Sequence, residues 1–394
     1  MIRHLFTLIW NKKKQNGLLI SEILLSFLVM FGIFTALAWC YRNYRKPMGM
    51  DFQNVWIVNY NNTYDTGNSD SLYRYYSILN TTLKSLPMVE DISYSTSNEP
   101  FSNNTMQGGM TYNKKHYDHL NWYVGSDSYA AVLGMQLLEG RWYNKEDEVG
   151  HKSPVVINRT FKEELFGQQS AVGKLIGNDD DKTKREVIGV VEDVKVKGDY
   201  SPSGRAMYNL LDTGSIRSMG RMLIKVKPGA NAAFESRLYK TLAGYMKTAN
   251  IEIAHMADRR KTINYWAVVP MIVGLIVATF LIINVALGLF GVLWYNINKR
   301  KGEIGLRRAV GATGKSVSAQ LVGESMIIAT LSMIVGVFFA VQFPLLNVFD
   351  LPAVVYIAGI ILSILFIYAL VLICSFYPGK QAAAIYPAVA LHEE

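Results

Sequence analysis

The segment AVGATGKS, residues 309–316, places glycine, lysine and serine in the order of a phosphate-binding loop. Such a loop works when it leaves a buried strand and opens a helix, because backbone N–H groups and the helix N-terminus then converge on the phosphates. Here the preceding residues are NKRKGEIGLRR, charged and without strand character, and a long apolar run follows. Ala309 stands where the strict pattern has glycine, and no second, acid-tipped strand is at hand to hold magnesium. The segment is therefore not read as a nucleotide site.

Other candidate chemistry is equally thin. His116 and His119 have the spacing H-x-x-H with Asp118 between them, but no third ligand follows at a metal-binding distance, so a polar surface loop is expected there. Asp179, Asp180 and Asp181 lack the alternation and closing glutamate of a calcium loop and read as a solvated turn. There is no G-x-S-x-G elbow. The two cysteines, Cys40 and Cys374, fall at opposite ends of apolar stretches, where they could not meet as a disulfide.

The elements that would have to carry any site are mostly membrane spans. Half of the 394 residues are hydrophobic, and four stretches approach or exceed the roughly 20 residues that cross a hydrocarbon core. Their expected bounds are residues 17–41, 263–296, 317–343 and 352–376. The first is too long for a signal peptide and lacks a small-residue cleavage site, so it reads as a retained anchor. Before it, Ile2, Leu5, Phe6, Ile9 and Trp10 recur at helical spacing ahead of Lys12 to Lys14, as in a helix lying in the interface over residues 1–16.

Orientation follows from the short loops. Lys299, Arg300, Lys301, Arg307, Arg308 and Lys315 crowd the connection between the second and third stretches, residues 297–316, whereas QFPLLNVFDLP after the third has no basic residue. Basic loops stay inside, which puts both termini in the cytoplasm and the large segment 42–262 outside. The net charge of +9 is concentrated around the spans and suits anionic lipid head groups; nucleic acid is not an expected partner.

The outer segment begins and ends alike. VWIVNY, a helical stripe through Leu72, Tyr76, Leu79, Leu83 and Leu86, and a strand near 89–94 predict one β-α-β unit over 54–95. RMLIKVK, the turn PGAN, the stripe Phe234, Leu238, Leu242, Tyr245 and then IEIAHM predict another over 220–257. The two units are expected to share a sheet, with an inserted subdomain over about 96–185 that holds strands near Trp122, Leu137 and Pro154 and a short helix with Phe161, Leu165 and Phe166. A last strand is expected from Arg185. The fold class is therefore an integral membrane α-helical protein of four transmembrane helices with a large α+β extracytoplasmic domain between the first and second.

Three polar residues inside spans draw notice, because charge at membrane depth is costly and either faces a partner or water or is reached by snorkelling or capping lysines nearby. They are Glu22 in the first span and Gln320 and Glu324 in the third. Ser332, Gly336 and Ala340 recur every fourth position, which permits close helix approach, within the chain or between two copies.

The run KGEIGLRRAVGATGKSV, residues 301–317, closely resembles the cytoplasmic coupling segment of the MacB and FtsX-like family of ABC transporter permeases. Glu303, Ile304, Gly305, Arg307, Arg308, Ala309, Gly311 and Ala312 match its E-I-G-x-R-R-A-x-G-A pattern. GMQLLEGRWY, PVVINRTFKEELFG, SAVGKLIG and EVIGVVEDVK resemble the family's periplasmic core domain, and YPGKQAAAIYPAVAL in the tail 377–394 resembles its terminal signature. The resemblance implies a coupling helix that docks on a separate ATPase subunit through Lys301, Glu303, Ile304, Gly305, Arg307, Arg308 and Gly311. Glu303 and Arg307, four apart, can pair along it, while Arg308 and Lys301 present positive charge to the partner.

It further implies that ATP and magnesium are bound by that partner, two copies of it, with no catalytic residue, metal or cofactor in this chain. A second permease copy, a homodimer, is expected, as is a periplasmic adaptor or outer-membrane channel. The second span is long enough to project from the bilayer, and the resemblance implies that its extra turns form a stalk that carries motion outward from the bacterial inner membrane, driving export or extraction. The alternative is an FtsX-like regulatory protein that activates an extracytoplasmic hydrolase or a sensor kinase.

Overall fold

The computed structural model describes residues 13–61, 69–96, 98–144, 146–147, 153–177, 184–211 and 219–384. The interfacial element expected before Lys13, the turn at 178–183 and the tail beyond 384 lie outside these residues. The chain divides into two compact units, Asn43–Ala267 and the remainder.

Among the described residues four helices are long and apolar enough to cross a membrane, and each extends past its apolar stretch: Lys13–Tyr44, Met256–Lys299, Gly314–Leu345 and Ala353–Ala383. We call them the first to fourth span helices. The fourth continues through Pro378, where the sequence suggests a tail, because Pro378, Gly379 and Ala382 are buried and packing carries the helix past the lost hydrogen bond. In the membrane unit the first span helix buries Leu19, Ile23, Phe27 and Phe31, one residue per turn, against Val285 and Leu289 of the second, Ile328 and Met333 of the third and Tyr356 and Ile367 of the fourth. Gly336 lies against the Phe27 ring, and Ser332 and Ala340 are fully buried, so the small-residue face is used inside the chain. Gly359 likewise accepts Thr35, with no room for a Cβ.

The other unit is built on one sheet. Its first lobe comprises β1 (Val55–Tyr60), the helix Ser69–Lys84, β2 (Val89–Ser95), β10 (Arg221–Val226), the helix Ala232–Tyr245 and β11 (Ile251–His255). The order β11-β1-β10-β2 interleaves the two β-α-β units in the split, ferredoxin-like manner, every neighbour antiparallel. Trp56, Val58 and Tyr60 alternate with Val55 and Ile57, as Met222, Ile224 and Val226 do with Leu223. One set packs under the helices on Leu72, Leu79, Leu238 and Leu242; the other meets Tyr129, Val132, Leu133 and Met256. Both faces are covered, which is why β1 reads as a continuous apolar run.

The second lobe is inserted between β2 and β10. It holds β3 (Gln107–Tyr112), β4 (Lys115–Gly125), β5 (Leu137–Gly140), β6 (Pro154–Asn158), β7 (Leu175–Ile176), β8 (Arg185–Val191) and β9 (Arg205–Leu210), and its sheet runs on into that of the first lobe at the bridge Ser95 to Gly125. The insert thus extends to β9, past the boundary at 185, because β8 and β9 pair with β6 and close its core. His116 and Asp118 lie on β4, not on a loop. They pair at 3.0 Å beside the tight turn at Asn113 and Lys114, both with positive φ. The expected helix with Phe161 is Arg159–Phe166, capped by Asn158, whose Oδ1 accepts from the Phe161 amide.

Candidate coupling site

Immediately after the second span helix the chain turns into a nine-residue helix, Lys301–Ala309, here called the coupling helix. Ile304 is its inward anchor, buried with Ile297, Val317, Leu321 and Ala382 in a small core at this end of the membrane unit. Gly305 is buried beside it. Leu306 and Val310, four residues apart, point the other way and are 57% and 83% exposed. An isolated short helix is marginal in water, so the buried Ile304 stripe is what holds this one in place.

The segment that resembles a phosphate loop is the exit of this helix. Gly311, at φ +105°, ends it in a left-handed cap: its amide donates to the Arg308 carbonyl at 3.2 Å and the Ala312 amide to that of Arg307 at 3.0 Å. Thr313 then caps the third span helix, its hydroxyl accepting from the Ser316 amide at 3.3 Å. The amides of Val310, Gly311, Ala312 and Ser316 are thus bonded to the chain itself, and a helix, not a strand, precedes them. The residues present do not fit a nucleotide.

Five side chains close a ring across three helical segments. Arg300, at the junction, donates from Nη1 to both oxygens of Glu324 at 3.2 and 3.1 Å and from Nε to Glu303 at 3.0 Å. Arg307 Nη2 lies 2.6 Å from Glu303, and its Nη1 donates to Gln320 Oε1 at 2.7 Å. Gln320 Nε2 returns to Glu324 at 3.2 Å. Two cations face two carboxylates, so the ring is neutral. Its Arg300–Glu324 side is 14% and 16% exposed, its Glu303–Arg307 side 44% and 42%. Glu324 sits ten residues, about 15 Å, along the third span helix from Gly314. A carboxylate at that depth is tolerable because Arg300 reaches it.

The remaining predicted residues divide. Arg308 does not present its charge outward; it is half-buried and donates to the Ala383 carbonyl at the end of the fourth span helix, where unsatisfied carbonyls attract a cation. Lys301 is half-buried in the first turn. Glu22 stands apart from the ring, its carboxylate against Gly288 of the second span helix, where any Cβ would strike it. Arg300, Leu306 and Val310 are not among the docking residues that the sequence singles out. Arg300 could have been found as the basic residue three positions before Glu303, the spacing that lets two side chains meet along a helix, and Leu306 and Val310 as the apolar residues off the Ile304 face.

The second span helix is also gripped at its other end, within the outer unit. Arg260 holds Asp199 with two bonds, Nε to Oδ1 at 3.0 Å and Nη2 to Oδ2 at 2.7 Å, and Asn264 donates to Asp199 Oδ2 at 2.8 Å. The Asp199 amide donates back to Asn264 at 2.9 Å. Beside it, Lys195, 3% exposed, donates to the carbonyls of Asn43 at 2.9 Å and Asp199 at 3.2 Å. Burial pushes its ammonium below the usual lysine range, against the pull of Asp199. Arg259 and Arg221 share the buried Glu99, at 2.7 and 3.3 Å.

These features define a polytopic membrane protein in which one 44-residue helix is bonded to an α+β domain at its start and to a short amphipathic helix just beyond its end. Comparison with known proteins agrees with that class. The MacB-like periplasmic core domain matches residues 18–239 and the FtsX-like permease C-terminal domain residues 256–387. The chain belongs to the MacB/FtsX-like permease family.

Among relatives, a macrolide export ATP-binding/permease protein MacB of Bdellovibrio bacteriovorus is 24% identical over 78% of this chain and 47% of that protein. A pyoverdine export ATP-binding/permease protein PvdT of Pseudomonas syringae pv. tomato is 23% identical over 70% of this chain and 43% of that protein. The chain spans about half the length of the curated relatives it matches. A solved structure of the periplasmic region of MacB from Actinobacillus actinomycetemcomitans aligns with 57% of this chain and 98% of that one at 19% identity, with a TM-score of 0.39.

Proposed function

We propose that this chain is the permease subunit of an ABC exporter, converting ATP turnover on a partner ATPase into motion of its extracytoplasmic domain. The observation that carries the reading is the double attachment of the second span helix: the Asp199 clamp on Arg260 at one end, the Arg300 ring at the other. At ~1.5 Å per residue that helix is about 66 Å long, twice a ~30 Å hydrocarbon core, so it has turns to spare outside the bilayer. Two copies of the ATPase dock from the cytoplasm on Leu306 and Val310, and ATP and magnesium stay with them. A second copy of this chain packs on the second span helix, the least buried of the four. Export, as against regulation of an outer enzyme, is favoured because the relatives are named as exporters.

The test is reconstitution in nanodiscs with the ABC ATPase that co-purifies with the chain. Leu306→Asp with Val310→Asp should abolish association and stimulated ATPase while leaving the melting temperature of the permease within a few degrees, since both side chains are exposed. Full assembly and stimulation by that double variant would refute the docking face and with it the coupling role.

A further inference from the structure

We propose that the outer unit carries a binding site for a small organic cation, an alkylated ammonium, in the cavity between the helix Ser69–Lys84, β2 and the Ser126–Ser128 turn. This inference is independent of the coupling role. The cavity measures ≈ 110 Å³, somewhat less than the about 150 Å³ of an engineered cavity that takes benzene, and so holds one ammonium head with its methyl groups. Tyr73, Tyr76 and Tyr94 line it together with Asn80, Asp127 and Asn144, and no lysine, arginine or histidine lines it among the described residues.

The polar groups there are poised to accept. Asn80 Oδ1 is buried with no hydrogen-bond partner among the described residues. Asp127 uses one oxygen to cap the Ser128 amide at 2.9 Å, and no cation pairs with its carboxylate among the described residues. Ser128 donates its hydroxyl proton to the Ile92 carbonyl at 2.5 Å, so its oxygen is left as an acceptor toward Ser126 at 3.0 Å. An anion would meet the Asp127 carboxylate with no cationic side chain among the described lining residues to offset it. A neutral apolar group would leave Asn80 and Asp127 without solvent or partner, a costly state. A cation answers both acceptors and is attracted by tyrosine faces.

Isothermal titration of the full chain with choline tests this, in nanodiscs of phosphatidylglycerol, which carry no choline. The neutral carbon isostere 3,3-dimethylbutan-1-ol is the control. Saturable choline binding is expected, at least about tenfold tighter than the isostere. Asp127→Asn should weaken it about tenfold or more, and Asn80→Asp, which adds a negative charge, should strengthen it several-fold, a gain that misfolding cannot mimic. Equal affinity for the isostere, choline binding indifferent to both substitutions, or no saturable choline binding below roughly 10 mM would each overturn the proposal.

Discussion

Arg300 and Glu324 meet as one guanidinium nitrogen against two carboxylate oxygens, 3.2 and 3.1 Å away, on a side of the ring that is 14% and 16% exposed. Pairs that are largely out of water cost a great deal to break singly, because the surviving charge is left stranded. A double-mutant cycle with Arg300→Met and Glu324→Gln should therefore return a coupling of about 1–3 kcal/mol, the range reduced because Glu303 can still receive Arg300. The measurement is unfolding of the detergent-solubilised chain.

The other side of the same ring should behave differently. Glu303 and Arg307 are 44% and 42% exposed and bridge at 2.6 Å, an arrangement worth about 0.3–0.5 kcal/mol on a helix. The corresponding cycle should fall below about 0.5 kcal/mol and vanish in 1 M salt. A value as large as that of Arg300 and Glu324 would show that the ring acts as one unit and not as a buried pair with an exposed rim.

Asp199→Asn keeps the size of the side chain but removes the charge that receives both Arg260 nitrogens and the Asn264 amide. The expected loss is about 1.5–3 kcal/mol, read in the melting of the outer unit. In reconstituted permease the same change should leave ATPase docking intact while reducing the distance changes, measured by paired spin labels within the outer unit, that follow ATP addition.

Gly336→Ala and Gly359→Ala place a Cβ on the Phe27 ring and on Thr35 of the first span helix. Overpacking of this kind costs about 1–3 kcal/mol, so both should lower thermal stability. Gly302→Ala, at a position with open space, should not. Gly336→Ala paired with Phe27→Leu should recover part of the loss.

The tyrosine cluster gives the outer unit an alkaline limit. Burial pushes Tyr76 up to about 12, and Tyr94, Tyr123, Tyr129 and Tyr208 are also raised by burial first of all. Folded protein keeps these phenolic protons where unfolded chain, titrating near 10, has lost them. This contribution is intact below about pH 10 and is lost as pH rises toward 12. Absorbance at 295 nm should show these tyrosines ionising together with loss of near-ultraviolet circular dichroism, not before it.

Much of this was legible in the sequence, and the gaps have physical reasons. Spans announce themselves by hydropathy, and the two β-α-β units by short apolar strand runs beside helical stripes of period 3.6. The spacing of Glu303 and Arg307 shows a local pair, yet nothing local shows that Arg300 reaches 24 positions ahead to Glu324. Arg308 reads as free charge because its acceptor, the Ala383 carbonyl, belongs to a helix end 75 residues away. The strands β3 and β9 escaped for the same reason: QGGMTY carries two glycines and RAMYNL little alternation, and each becomes a strand by pairing with β4.

The position of β1 in its sheet bears on biosynthesis. It pairs with β10 on one side and β11 on the other, partners that begin 166 and 196 residues later in the chain, as 221 and 251 against 55. Emerging first, it has no neighbour until Arg221–Val226 has followed it across the membrane, and its other edge stays open until Ile251–His255, just ahead of the helix that starts at Met256. The inserted lobe needs no such wait, since β3 to β9 pair among themselves. Secretion therefore exposes a bare VWIVNY edge for the time it takes to thread some 200 residues, and chaperones on the far side of the bilayer have that interval in which to shield it.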